Sequence, residues 1–235
     1  MSCTNGLGIE NILAYRHGVY ELLRRIFLWE FPLELLTEIV ETAKAGSSTE
    51  ETECLAESTL RGYLKTLVID DLPNLHRDLH IAYTRMFVGP HHLPTPPYES
   101  VYIGTDKLLM QNETVNVKTA YARNGFHVAS AHRVLDDNIG IELEFMCALN
   151  KACFDALREK NHSKALELVS AQQEFCDRHL LRWIPEFCDD IVANSTFQFW
   201  KNVAALTREF VQEEPAALSS LLDTLTELAE VSRAE

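Results

Sequence analysis

The sequence predicts an all-α protein, a globular bundle of about ten helices, as one body or as two subdomains joined by a hinge. Three observations carry this. Apolar residues recur every three to four positions along most of the chain. Leu, Glu and Ala dominate, whereas Gly and Pro number only nine and eight in 235 residues, a balance that favours helix. No convincing alternating strand and no internal repeat is found.

Met1–Gly8 is short, polar and glycine-bearing, and reads as a disordered N-terminus. From Ile9 to Leu28 the residues Ile12, Leu13, Val19, Leu22, Leu23, Ile26 and Phe27 keep helical spacing. Pro32 then opens a second helix running to about Lys44. Ala45–Ser48 is a loop, and Ser48 with Glu51 fits a capping box for a helix reaching roughly Ile69. After Asp70-Asp71 another helix extends to Phe87, with Leu75, Leu79, Tyr83, Met86 and Phe87 as its inner stripe. Asp106–Met110 reads as a helical turn, and a helix starts at Asn112 or Thr114 and ends near Gly125. Val128–Asp136 lacks a period and reads as a hinge. It divides a subdomain at 9–127, which includes the proline loop 89–97, from a C-terminal subdomain at 137–235. Helices follow at Asp137–Lys160, Ser163–Leu181, Pro185–Ala193, Phe197–Gln212 and Pro215–Val231, with Pro185 and Pro215 taken as starts.

The formal charge is −14 and the pI near 5.1, which disfavours nucleic acid and anionic membrane as partners and suits a basic peptide. Six cysteines show no CxxC and no regular spacing, so a reducing cytoplasm is the expected compartment. Leu23-Arg24-Arg25-Ile26-Phe27-Leu28 superficially matches a twin-arginine export consensus. Glu30, Pro32, Glu34 and Glu38 follow it, however, where an export signal continues into an uncharged apolar run. The pair reads as the polar edge of an amphipathic helix. No apolar run approaches the ~18 residues of a membrane span.

The most informative stretch is Phe87–Tyr102, FVGPHHLPTPPYESVY, which holds Pro90, Pro94, Pro96 and Pro97. Proline fixes φ and removes a backbone donor, so Gly89–Pro97 is extended and stiff rather than helical. Tyr98, Val101 and Tyr102 then flank Glu99 and Ser100. A stiff loop bearing aromatic and acidic groups suits the wall of a peptide groove, although pattern alone favours a rigid helix–helix connector with its tyrosines packed inward.

The run YTRMFVGPHHLPTPPYESVY, Tyr83 to Tyr102, resembles the signature of the TorD/DmsD/NarJ family of redox-enzyme maturation chaperones. The matching elements are Met86-Phe87, Gly89-Pro90, Leu93-Pro94, Pro96-Pro97-Tyr98 and Ser100-Val101-Tyr102. A second stretch, Leu135–Met146, resembles the family's acidic Glu-Pro-x-Asp-His hinge and the helix after it. Asp137 and Gly140 match, whereas the family Glu, Pro and His positions are Val134, Leu135 and Asn138. Loss of that histidine removes any imidazole role there.

The resemblance implies a cytoplasmic chaperone, with no cofactor of its own, for a molybdopterin oxidoreductase catalytic subunit. Such a chaperone binds the subunit's N-terminal twin-arginine leader, holds the apoprotein during cofactor insertion and delays export. Carried onto this chain, the leader's apolar half would meet Tyr83, Met86, Phe87, Gly89, Pro90, Leu93, Pro94, Pro97, Tyr98 and Tyr102, beside Ser100 and Asn138. Its arginines would meet Glu99, Asp136, Asp137 or Glu142. The competing reading of the acidic stretch is local, with Asp136 or Asp137 as a helix cap. A NarJ-like assembly factor for a non-exported subunit would bind no Arg-Arg leader. A nucleotide-binding helical protein is the third class, but no phosphate cradle is found. Either a monomer or a domain-swapped dimer suits the family.

His76 and His80 are four apart but lack a third ligand at a recognisable spacing, and read as surface histidines rather than a metal pair. His91-His92 decorates the groove edge. No GxSxG, Walker loop, GxGxxG or HExxH occurs, and the neighbouring carboxylates diverge on a helix, so no enzyme is expected.

Overall fold

Helical periodicity becomes burial along α1 (Ile9–Phe27), whose inner face is Ile12, Leu13, Val19, Tyr20, Leu23, Ile26 and Phe27. The computed structural model describes residues 8–28, 31–46, 54–90, 93–104, 107–129 and 134–234. The expected disorder of residues 1–7, the Ser48/Glu51 capping box, His91-His92, Asp106 and hinge positions 130–133 lie outside the described residues. The further helices are α2 (Leu33–Ala45), α3 (Leu55–Thr66), α4 (Leu72–Tyr83), α5 (Glu99–Ile103) and α6 (Asn112–Arg123). Then come α7 (Ile139–Arg158), α8 (His162–Phe175), α9 (Leu181–Asn194) and α10 (Gln198–Ala234). No described helix is long and apolar enough to cross a membrane.

Side chains near the helix ends account for several boundaries. The Cys54 thiol accepts from the Glu57 amide at 3.4 Å to cap α3. Asn138 and Asn161 accept from Gly140 and Lys164 at 2.9 and 3.1 Å to cap α7 and α8. Gly46, at φ 71°, ends α2 in the left-handed conformation that glycine adopts without steric cost.

α1 lies against α7, α7 against α8, and both α8 and α9 against α10, while α3 packs on α2 and α10. Trp183, Trp200, Phe145, Phe187 and Phe199 fill the middle. One charged group sits among them. Arg16 is fully buried and donates from Nε and Nη2 to Glu214 (2.8 and 2.6 Å), from Nη1 to Asn150 (2.9 Å) and from Nη2 to Gln172 (2.8 Å). Tyr20 donates its hydroxyl to the same Glu214 carboxylate. The network joins α1, α7, α8 and α10 with its strong donors matched, which a buried charge requires.

Two proline expectations fail. Pro185 lies inside α9, one turn beyond a π-helical turn at Cys176–Leu180 that joins α8 to α9. That wide turn lets the chain stay helical up to a residue with no amide donor. Pro215 lies inside α10, which runs unbroken through the expected gap. Val211, Leu218, Leu221 and Leu225 are buried on both sides of Pro215, so tertiary packing outweighs the lost backbone bond.

Two smaller differences occur near the loop. α5 forms over Glu99–Ile103, where no helix was expected. The expected turn at Asp106–Met110 is instead irregular where described, with Lys107 and Met110 in the left-handed region at φ 50° and 60°.

Candidate functional site

α4 does not stop at Tyr83 but widens into a π turn, Thr84–Val88, closed by the Gly89 amide donating to the Thr84 carbonyl at 2.8 Å. From Gly89 to Pro97 the described residues form no helix, as the prolines dictate. The loop is then tied to the start of α7. Ile139 donates its amide to the Pro97 carbonyl and Glu99 its amide to the Asp137 carbonyl, each at 3.0 Å, which makes an isolated antiparallel bridge between Tyr98 and Asn138.

The π turn, the loop and the start of α7 bound a groove of about 530 Å³. Of the residues expected at the site, Tyr83, Phe87, Gly89, Pro90, Leu93, Pro97, Tyr98 and Asn138 line it. Its floor is rigid, because Tyr83 and Phe87 meet edge-on at 5.1 Å and the Tyr83 hydroxyl donates to the Phe27 carbonyl at 3.0 Å. Sequence reasoning missed Leu28, Val88, Pro96, Val101, Lys107, Leu109 and Val134, which also line the groove. A usable signal was Leu108-Leu109-Met110, an apolar run in a segment that forms no helix and stays exposed.

The carboxylates lie elsewhere. Glu99 is 1% exposed, while Asp137 and Glu142 are fully buried behind the loop. Asp137 Oδ2 accepts the Ser100 amide at 3.0 Å, so this acid anchors the start of α5. Glu99 meets His179 Nδ1 at 2.9 Å. Glu142 accepts from Trp183 Nε1 at 3.1 Å. Burial, then the neighbouring Glu99 and Asp137, push the Glu142 carboxyl well above the usual carboxylate range and favour its protonated form. Met86 and Ser100 are buried. Tyr102 donates to Asp190 at 3.0 Å with its ring 5.5 Å from Trp183. Pro94 is exposed and its carbonyl accepts from Asn194. Asp136 is half-buried, accepts the Tyr121 hydroxyl at its carbonyl at 2.9 Å and does not line the groove, although Val134 and Asn138, two residues away on either side in the chain, do. Lys107 is the one charged side chain lining the groove among the described residues, and its ammonium stands 4.0 Å from Glu186.

Among the described residues no group of three His, Cys, Asp or Glu side chains is placed to hold a metal. His76, expected at the surface, is half-buried and contacts the Phe31 carbonyl through Nε2 at 2.8 Å.

Residues 49–189, which include the loop and the start of α7, match the family described as the nitrate reductase delta subunit. The chain is similar to a chaperone protein TorD of Psychrobacter sp. (strain PRwf-1), 24% identical over 169 residues, covering 71% of this chain and 73% of that protein. A TorD chaperone of Vibrio cholerae serotype O1 (strain ATCC 39541 / Classical Ogawa 395 / O395) is 24% identical over 191 residues, covering 80% and 81%. A Tat proofreading chaperone DmsD of Salmonella typhi is 24% identical over 127 residues, covering 54% and 55%. With the family matched over more than half of its length, the chain belongs to the nitrate reductase delta subunit family, the TorD/NarJ group that its proline-loop signature resembles.

Proposed function

We propose that the chain is a cytoplasmic maturation chaperone, not an enzyme, for a molybdopterin oxidoreductase catalytic subunit. In this reading the proline-loop groove receives the apolar part of the subunit's twin-arginine leader. The observation that carries it is the apolar groove itself, walled by the segment that bears the family signature. A wall stiffened by prolines loses little freedom on binding, whereas a leader disordered beforehand does, which leaves the complex releasable. The leader's arginines would meet carboxylates outside the groove, Glu186 beyond Lys107 and Asp136, which lies between the groove residues Val134 and Asn138 in the chain. Glu99, Asp137 and Glu142 would act as positioning residues that hold the loop.

One observation favours a second reading. The acids expected to receive arginines are buried, and Lys107 is the charged side chain at the groove. An apolar segment without Arg-Arg, from a non-exported subunit, would suit that lining too. Titration of labelled leader peptides tests both. A peptide carrying Arg-Arg and an apolar stretch is expected to bind, and Val101→Asp to weaken it about tenfold or more through a charge placed against apolar surface. Equal affinity of an Arg-Arg and a Gln-Gln peptide would move the conclusion to the second reading. Unchanged affinity in Val101→Asp would remove the groove from the site.

A further inference from the structure

A second cavity, also about 530 Å³, opens between α6 and the joined α8–α9 pair, away from the groove's lining. Its inner wall is aromatic, with Phe145 and Phe175 meeting edge-on at 4.8 Å. His179, 6% exposed, also lines it and holds Glu99 through Nδ1.

The rim is unusual for this molecule. The chain has 35 acidic residues against 21 Lys and Arg, yet Arg123, Arg178 and Arg182 all line this one cavity. Arg178 pairs with Glu174 at 3.3 Å. Arg182 donates only to the Arg178 carbonyl, at 3.4 Å, and Arg123 makes no side-chain ion pair among the described residues. Arg178 and Arg182 are one turn apart, an arrangement of like charges that weakens a helix instead of supporting it. Asp177 is the acid on this rim that makes no ion pair among the described residues. Two guanidinium groups without a carboxylate partner among the described residues, over an aromatic wall, therefore offer a site for an anionic group borne on an apolar body.

The field of the whole chain narrows the choice. A net charge of −14 opposes the approach of a polyanion far more than that of a single negative charge. A carboxylate also matches the guanidinium fork with two parallel bonds. We propose that this cavity is a second docking site for the client polypeptide, taking an acidic side chain flanked by an apolar one. It rests on the reading that the groove takes a client segment. His179 and Glu99 connect the two openings, because Tyr98, which lines the groove, is the residue next to Glu99.

The test uses the full chain, isotope-labelled, and a capped peptide Gly-Phe-Glu-Leu-Gly together with its Gln analogue. The Glu peptide is expected to shift the amide signals of Ala120, Arg123 and His179, and to bind about tenfold or more tightly than the Gln peptide. Added salt should weaken it. Arg123→Gln with Arg182→Gln, both at exposed positions, should abolish the Glu preference while leaving leader-peptide affinity and melting temperature unchanged. The proposal is overturned by equal binding of the two peptides, by no shift at the cavity, or by an unaffected double variant. It is likewise overturned if inorganic phosphate binds more tightly than the Glu peptide, which would mark a phosphate site. The groove fails separately, by absence of leader binding to the unaltered chain.

Discussion

Gly140 stands where the end of α1 crosses the start of α7, and Gly140→Ala tests that crossing. A methyl group built there lies 2.5 Å from the Leu28 Cα, 2.6 Å from its Cβ and 2.8 Å from its amide nitrogen. Ordinary contact begins near 3.4 Å, so the two backbones would have to part by about 0.9 Å. No flexible side-chain tip can yield in their place. Overpacking of this kind costs about 3 kcal/mol at the upper end of its usual range. Replacing glycine in a helix returns at most about 1 kcal/mol. The net expectation is a loss of about 2 kcal/mol, which for a chain of this size lowers the melting temperature by roughly 4–8 °C. Thermal unfolding followed by circular dichroism measures it. Gly18→Ala is the control, since nothing lies within 4 Å of its added methyl group, and it should be neutral or stabilising. A Gly140→Ala protein melting at or above the parent temperature would refute the close approach. Because Asn138 and Asp137 hold the loop immediately before Gly140, the same variant should also weaken leader binding.

Three further outcomes are expected. Glu142 holds its proton more tightly folded than unfolded, so its contribution to stability is present below pH 4.5 and lost as pH rises through the raised folded value. Glu142→Gln should therefore gain stability relative to the parent as pH rises above 4.5; a difference independent of pH in urea melts would contradict this. Glu214→Ala leaves Arg16 charged and buried without its carboxylate, and should cost about 3–5 kcal/mol in denaturant unfolding; a loss below about 1 kcal/mol would show that water or other partners reach Arg16. Burial pushes the thiols of Cys153 to about 11 and of Cys147 and Cys188 to about 12. They should resist alkylation at neutral pH until the protein unfolds, and rapid labelling mapped to any of the three would count against their packing.

The helices were legible because apolar spacing is a local property, and four prolines within eight residues leave the backbone few choices. The groove's floor followed, since Tyr83 and Phe87 share one helical face. What escaped depends on partners distant in sequence. Glu99, Asp137 and Glu142 read as acids open to a partner's arginines until His179, the Ser100 amide and Trp183 supply the contacts they make in the interior. Arg16 was unreadable for the same reason. Pro185 and Pro215 misled because a proline signals its local cost and not the packing on either side that offsets it. The left-handed residues Lys107 and Met110 carry no local mark at all, since neither is glycine, asparagine or aspartate.

The Arg16–Glu214 pair also sets a timetable. The partners are 198 residues apart, so at usual synthesis rates Arg16 waits roughly 10–40 s before its carboxylate has been made. Throughout that interval the inner face of α1 carries a cation that only water can satisfy, and it cannot settle into a dry core. The α1–α7 seam, and with it the crossing that supports the proline loop, therefore closes late. A nascent chain long enough to hold the whole groove sequence still lacks the clasp that completes its scaffold. The scaffold behind the groove is in this way complete only once Glu214 has been made.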